Sequence, residues 1–227
     1  MLQQTTPVIK NLIIINVIFF LATQIIGGPG RLPTLTLEFG AFYPGSPMFK
    51  PWQIITHMFM HSHSGLMHIF FNMFALYMFG VSLERVWGSK RFLIYYMVCG
   101  LGAFFLHEAV NAWEIYRLTG MIFPDPSDFP TDQDLVNYYY IPVVGASGAV
   151  FGILLGFGML FPNTRLQLLF PPIALKAKVF VFIYGALELF FAFSNSGSSI
   201  AHFAHLGGML FGYLMLKKWQ SERNTFY

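Results

Sequence analysis

Charge is what this sequence has least of. Asp, Glu, Lys and Arg together make up 10% of its 227 residues, against about 25% in an ordinary soluble domain. That deficit excludes a conventional water-soluble fold. A single cysteine, Cys99, excludes any intrachain disulfide, and because it lies within an apolar run it says nothing of redox compartment. The net charge of +3 is no nucleic-acid signal, and its distribution matters more than its size. No cleavable signal peptide is evident: Lys10 alone precedes the first apolar run, which reads as a retained span. There is no internal repeat, no strand-period alternation and no separable soluble segment.

What the chain has is apolar length. It is 56% hydrophobic and 19% aromatic, with a mean hydropathy of +0.58. Six apolar runs fall at about 8–27, 66–83, 92–110, 145–161, 173–193 and 200–216. Each is close to the ~20 residues that cross a ~30 Å hydrocarbon core as a helix. The expected fold is therefore an all-α integral membrane bundle of six transmembrane helices, forming one unit over residues 1–227. Assigning sides by positive charge puts ten of the 13 basic residues together, among them Lys10, Arg85, Lys90, Arg91, Arg165, Lys176, Lys178, Lys217, Lys218 and Arg223. Arg31, Lys50 and Arg117 fall opposite. The crowded side is the cytoplasmic one, and an even number of spans returns both termini to it.

Three outer connections follow. Residues 28–65 open on Gly27-Gly28-Pro29-Gly30 and carry Phe39, Phe42, Tyr43, Phe49 and Trp52, too aromatic to be freely solvated and expected to rest at the membrane interface. Residues 111–144 are acidic, with Glu114, Asp125, Asp128, Asp132 and Asp134 against Arg117. Residues 194–199 are short, polar and expected to hang over whatever opens on the outer face.

The fourth run is short for a span. Pro142 and Gly145 hold off its start and Pro162 ends it. Seventeen residues give about 26 Å of helix, so with its inner end fixed by Arg165 its outer end lies below the membrane surface. Ser147 then sits submerged at a helix N-terminus whose free N–H groups point outward, a position that survives only beside a polar cavity. A sunken hydroxyl with backbone donors beside it suits acyl transfer. Gly148, Gly152 and Gly156 recur every four residues, as do Ala204, Gly208 and Gly212 in the last run. Small residues so spaced let two helices approach closely in lipid. If these stripes meet, Ser147 and His205 each lie one residue from the contact, and Phe151, one turn below Ser147, can pack on the imidazole.

In the second run, His68 and Asn72 are four apart and share a helix face. Taken singly, each is an ordinary interhelical hydrogen-bonder. Together they offer two side-chain donors at one depth, which suits an oxyanion site. His57, His61 and His63 with His68 offer a metal-binding alternative, but no His-Glu-x-x-His occurs and His107-Glu108 is followed by Ala-Val-Asn, so no metal is expected. Glu188, inside the fifth run, is expected to hydrogen-bond a neighbouring helix near the outer surface.

Four stretches carry a resemblance that covers nearly the whole chain. They are Pro51-Trp52-Gln53-Ile54-Ile55-Thr56 leading to His68-Ile69-Phe70-Phe71-Asn72, Phe79-Gly80-Val81-Ser82-Leu83-Glu84 with Gly88, Gly145-Ala146-Ser147-Gly148, and Ala204-His205-Leu206-Gly207-Gly208 with Gly212. In this order and spacing the chain resembles the rhomboid intramembrane serine proteases. The resemblance implies a catalytic dyad of Ser147 as nucleophile and His205 as general base and then acid, with His68, Asn72 and the Ser147 N–H meeting the oxyanion. His205 is preferred to His202 because it directly precedes the Leu-Gly-Gly run; His202 is expected to be structural. No acidic third member is implied, and none stands beside His205 in the sequence. Imidazole orientation then falls to packing on Phe151, where relatives often have tyrosine. Gly145, Gly148 and Gly208 support the site. No cofactor is implied. The partners would be the lipid bilayer and single-span or multi-span membrane-protein substrates, cut toward the outer face, and the location a bacterial inner membrane. Two rivals remain: a catalytically silent relative that binds and escorts membrane proteins, against which both Ser147 and His205 stand, and a transporter, for which no inverted repeat is found.

Overall fold

A computed structural model of the chain describes residues 4–26, 34–62, 65–125, 127, 133–168, 172–194 and 199–224, the last two and first two of the final segment as backbone alone. The glycine-rich opening of the first loop with Arg31, His63, Asp128, Asp132, the tip at 195–198 and the Arg223 side chain lie outside these residues.

Among the described residues six longer helices carry the fold: α1 (Pro7–Ile26), α4 (Leu66–Trp87), α5 (Ser89–Thr119), α7 (Ser147–Leu160), α8 (Ala177–Ala192) and α9 (Ser199–Asn224). Three minor ones, α2 (Thr34–Phe39), α3 (Gln53–Thr56) and α6 (Gln133–Tyr140), sit in the connections. Among the described residues α1, α4 and α5 are long and apolar enough to cross a membrane, and α7 is a shorter apolar helix. Outward-facing side chains are apolar too, with Phe182 76% and Leu66 72% exposed, as lipid-facing surfaces require.

The ends of these helices differ from the expected runs for local reasons. α5 does not stop at 110 but continues to Gly120, where φ reaches 73°. Glu114 and Arg117, three apart and paired at 3.0 Å, suit its exposed last turns. At about 46 Å α5 outruns the hydrocarbon core, and its outer end packs Ile115 with Tyr43, Leu135 and Tyr139. The first connection thus buries Phe42 and Tyr43 in protein rather than leaving them all at the interface. Residues 173–176 are not helical. Antiparallel strands β1 (Arg165–Gln167) and β2 (Ala174–Lys176) pair there. α8 begins only at Ala177, whose N–H bonds Thr164 O. α9 runs past 216, since Lys217 and Lys218 are good helix formers, and Trp219 packs on Trp87 at 5.5 Å.

One end of the bundle is tied by Glu84, which accepts from the Val8 and Ile9 N–H groups at 3.0 Å and from the Thr6 and Ser89 hydroxyls. This carboxylate caps the start of α1. The opposite end holds the starts of α4, α7 and α9 and the end of α8.

The centre of the fold is the passage of α7 between α5 and α9. Gly152 accepts from the Tyr95 hydroxyl at 2.8 Å. A Cβ at Gly148 would lie 2.3 Å from Ala103 Cβ, and one at Gly208 would lie 1.8 Å from the Gly148 carbonyl oxygen. The two glycine stripes therefore do meet, backbone against backbone. No rotamer change can relieve a methyl group aimed at a backbone oxygen. Gly208→Ala must push α7 and α9 apart, with a cost of about 1–3 kcal/mol or more. Its unfolding temperature in detergent is expected to fall well below that of Gly88→Ala, where no atom lies within 4 Å of the added carbon though φ is positive; equal losses would contradict the contact.

Candidate active site

α7 has 14 residues, about 21 Å of helix, shorter still than its apolar run. Its start is set by the segment before it. Val143 pairs with Ala41 in both directions, and the Gly145 N–H donates to His57 O at 3.0 Å. Gly145 turns the chain with φ 134°, a conformation that favours glycine. Ser147 is then the first residue of α7, and no side chain caps that helix end from Ala146. The N-terminal N–H groups, which no helix can satisfy internally, face the same space as the hydroxyl.

His205 meets Ser147 across the glycine contact. Its Nε2 lies 2.9 Å from Ser147 Oγ. Phe151 stacks on the imidazole with ring centroids 4.1 Å apart and planes 11° from parallel. His68 closes the other side: a Cβ at Gly145 would sit 3.4 Å from His68 Nε2 and 3.6 Å from Ser147 Oγ. Asn72, buried one turn below, donates one amide N–H to His68 O at 2.8 Å, which leaves its second N–H.

The sequence left His205 without an acidic neighbour, and the structure corrects this. Glu188 Oε2 lies 2.9 Å from His205 Nδ1 and 2.6 Å from His202 Nδ1. The acid was missed because it stands 17 positions earlier, on a helix that folds back beside α9. Its signal was present as an ionisable residue within an apolar run. The expected bond to a neighbouring helix exists, but it is made to the very histidine in question. His202, three residues before His205, shares the carboxylate rather than competing for Ser147.

Among the described residues Glu188, His202 and His205 also form a donor set with ligand atoms within 4.8 Å of one another, of a type that binds zinc. Here both imidazoles bond the carboxylate. The other histidines lie apart from this set. His57 Nδ1 donates to Gln53 O at 2.9 Å, and His61 packs its ring 5.3 Å from that of His68 with both nitrogens buried and unpartnered among the described residues. An apolar groove of about 550 Å³ between α7 and α8, lined by Leu155, Met159, Phe182 and Gly185, lies two turns and more from Ser147 along α7.

The Rhomboid domain profile matches residues 49–219. The chain belongs to the rhomboid family. It is an integral membrane protein, as its apolar helices also require. It is 27% identical over 215 residues to rhomboid protease AarA of Providencia stuartii, covering 90% of this chain and 69% of that one. Identity to rhomboid protease GluP of Bacillus subtilis (strain 168) is 28% over 213 residues, covering 93% of this chain and 34% of the relative. The human mitochondrial presenilin-associated rhomboid-like protein matches at 27% over 188 residues, 80% of this chain and 42% of its own. The chain thus spans under half the length of the last two relatives.

Burial holds His57 and His61, in this rhomboid's first loop, in the neutral form. For His57 burial is the leading cause, opposed by its bonds to backbone, and the pKa falls from 6.5 to about 4. For His61 burial leads and the nearby His68 adds to it, again giving about 4. The unfolded chain therefore binds more protons between pH 6.5 and 4. Their contribution is complete above pH 6.5 and is lost as pH falls toward 4, by up to about 3 kcal/mol each. Unfolding free energy measured from pH 7.5 to 4 should decline over that window, and His61→Phe should flatten part of the slope; an unchanged slope contradicts the assignment.

Proposed function

We propose that this rhomboid is an intramembrane serine endopeptidase cleaving transmembrane segments of other membrane proteins. The observation that carries the proposal is the 2.9 Å approach of His205 Nε2 to Ser147 Oγ at an uncapped helix end. In this reading Ser147 Oγ attacks the scissile carbonyl while His205 takes its proton, then returns it to the leaving amine. The oxyanion is met by His68, Asn72 and the Ser147 N–H, donors fixed before the substrate arrives. Phe151 holds the imidazole plane, and Gly145, Gly148 and Gly208 bring the elements together.

The chain acts as one unit of six spans, with α7 sunken, both termini cytoplasmic and the site toward the outer face. The preference for a bacterial inner membrane rests on the two bacterial relatives. Substrates approach laterally past α8, whose Phe182 and Phe190 are 76% and 67% exposed. A helical substrate hides its carbonyls in hydrogen bonds, so helix-weakening residues near the cut and a small residue before it are favoured.

Incubation with a panel of single-span proteins in vesicles is expected to give a cut in the outer third of at least one span, mapped by mass spectrometry. Ser147→Ala should abolish it, and retained cutting sinks the reading. Asn72→Ala should slow the same cleavage on the order of 10²–10³-fold, chiefly in kcat; a change in KM alone would remove Asn72 from the oxyanion site.

A further inference from the structure

We propose that Glu188 is the positioning residue of the Ser147–His205 pair, making the site of this chain a Ser–His–Glu triad whose carboxylate is anchored by His202. The inference rests on the protease reading above and adds a member to its site. The geometry is that of a hydrogen-bonded line: Ser147 Oγ to His205 Nε2 at 2.9 Å, then His205 Nδ1 to Glu188 Oε2 at 2.9 Å. An imidazole offers one acceptor nitrogen when neutral, and its partner decides which. An ionised carboxylate only accepts, so the proton resides on Nδ1. Nε2 is thereby left with its lone pair facing the serine hydroxyl, the tautomer that general-base catalysis needs. Packing on Phe151 fixes the plane of the ring but cannot choose between its nitrogens.

His202 explains how a carboxylate is kept in so apolar a place. The Glu188 side chain is 12% exposed, and an unpartnered carboxylate at that depth is costly. His202 Nδ1 reaches the same oxygen at 2.6 Å. The His202 ring packs on Phe191 at 5.4 Å and stands 84° from the His205 ring. Two imidazoles from one helix, three residues apart, thus pin one oxygen of α8. In the reaction the bond between Ser147 Oγ and the carbonyl carbon forms as the Oγ proton passes to Nε2. The ring becomes imidazolium beside a carboxylate that keeps its charge. The C–N bond then breaks and the same proton leaves with the amine. Glu188 gains no proton at any step, and its effect is to orient the ring and stabilise the charged form.

A tie between α8 and α9 is the competing role, and kinetics separate the two. Glu188→Gln keeps size and hydrogen bonding but can present its N–H₂ to Nδ1, reversing the tautomer. With a cleaved single-span substrate in detergent, Glu188→Gln is expected to lower kcat roughly 10²–10⁴-fold with KM within about twofold. Glu188→Asp, which keeps the charge, should recover at least about tenfold over Gln at a similar unfolding temperature. Wild-type kcat in Glu188→Gln, with Ser147→Ala inactive, overturns this inference alone. Equal losses in the Gln and Asp variants that track lowered unfolding temperature assign Glu188 to the tie and overturn it as well. Cleavage surviving Ser147→Ala removes the protease reading and this inference together.

Discussion

The carbonyl of Gly148 and the α carbon of Gly208 stand so close that a methyl group at 208 would fall 1.8 Å from the oxygen. Such contact is possible only between glycine-bearing helix faces, and in lipid it is dispersion and shape, not water exclusion, that hold them. Everything at the Ser147 end of the bundle depends on this approach. Ser147 precedes Gly148 by one residue and His205 precedes Gly208 by three, so the backbone contact itself delivers the two side chains to hydrogen-bonding distance. The same stripe continues inward, where Gly152 meets Cys99 and Gly156 meets Tyr95. α7 is thereby fixed in depth as well as in position.

Depth matters because α7 is short. A helix of 14 residues cannot cross the hydrocarbon core, and its inner end is tied through Pro162 and Thr164 to the start of α8. The deficit falls at the Ser147 end, where the loop from Ala41 and His57 supports residues 143–145. Free helix N–H groups, a hydroxyl and three imidazoles gather in that recess. Ser147 bonds His205, His205 and His202 bond Glu188, and Asn72 bonds the carbonyl one turn back, pairings of the kind by which a membrane interior tolerates polar groups.

Much of this was legible in the sequence. The small-residue spacing announced the α7–α9 approach, Pro142, Gly145 and Pro162 bounded the short helix, and Phe151 was one turn from Ser147. These signals are local, and local periodicity survives folding. What escaped was of two kinds. Helix ends moved where charge was mistaken for a stop, at Asn111–Thr119 and Lys217–Asn224, although charged side chains end a membrane run without ending a helix. At 173–176 the reverse held, because an apolar run beside Pro172 became a strand. The partner of His205 escaped because Glu188 lies on a different helix, and nothing in a linear sequence states that the end of α8 turns toward the start of α9. The two histidines three apart on α9 and a lone carboxylate in an apolar run were the available hints.

The central claim is that the hydroxyl of Ser147 is activated by His205 in a recess open to water. Reaction with a fluorophosphonate in detergent, followed by peptide mass spectrometry, addresses that claim without any substrate. The account predicts a single adduct on the peptide bearing residue 147, and its disappearance in His205→Ala at unchanged fold. Absence of an adduct from the folded wild-type protein, or undiminished labelling in His205→Ala, would contradict it.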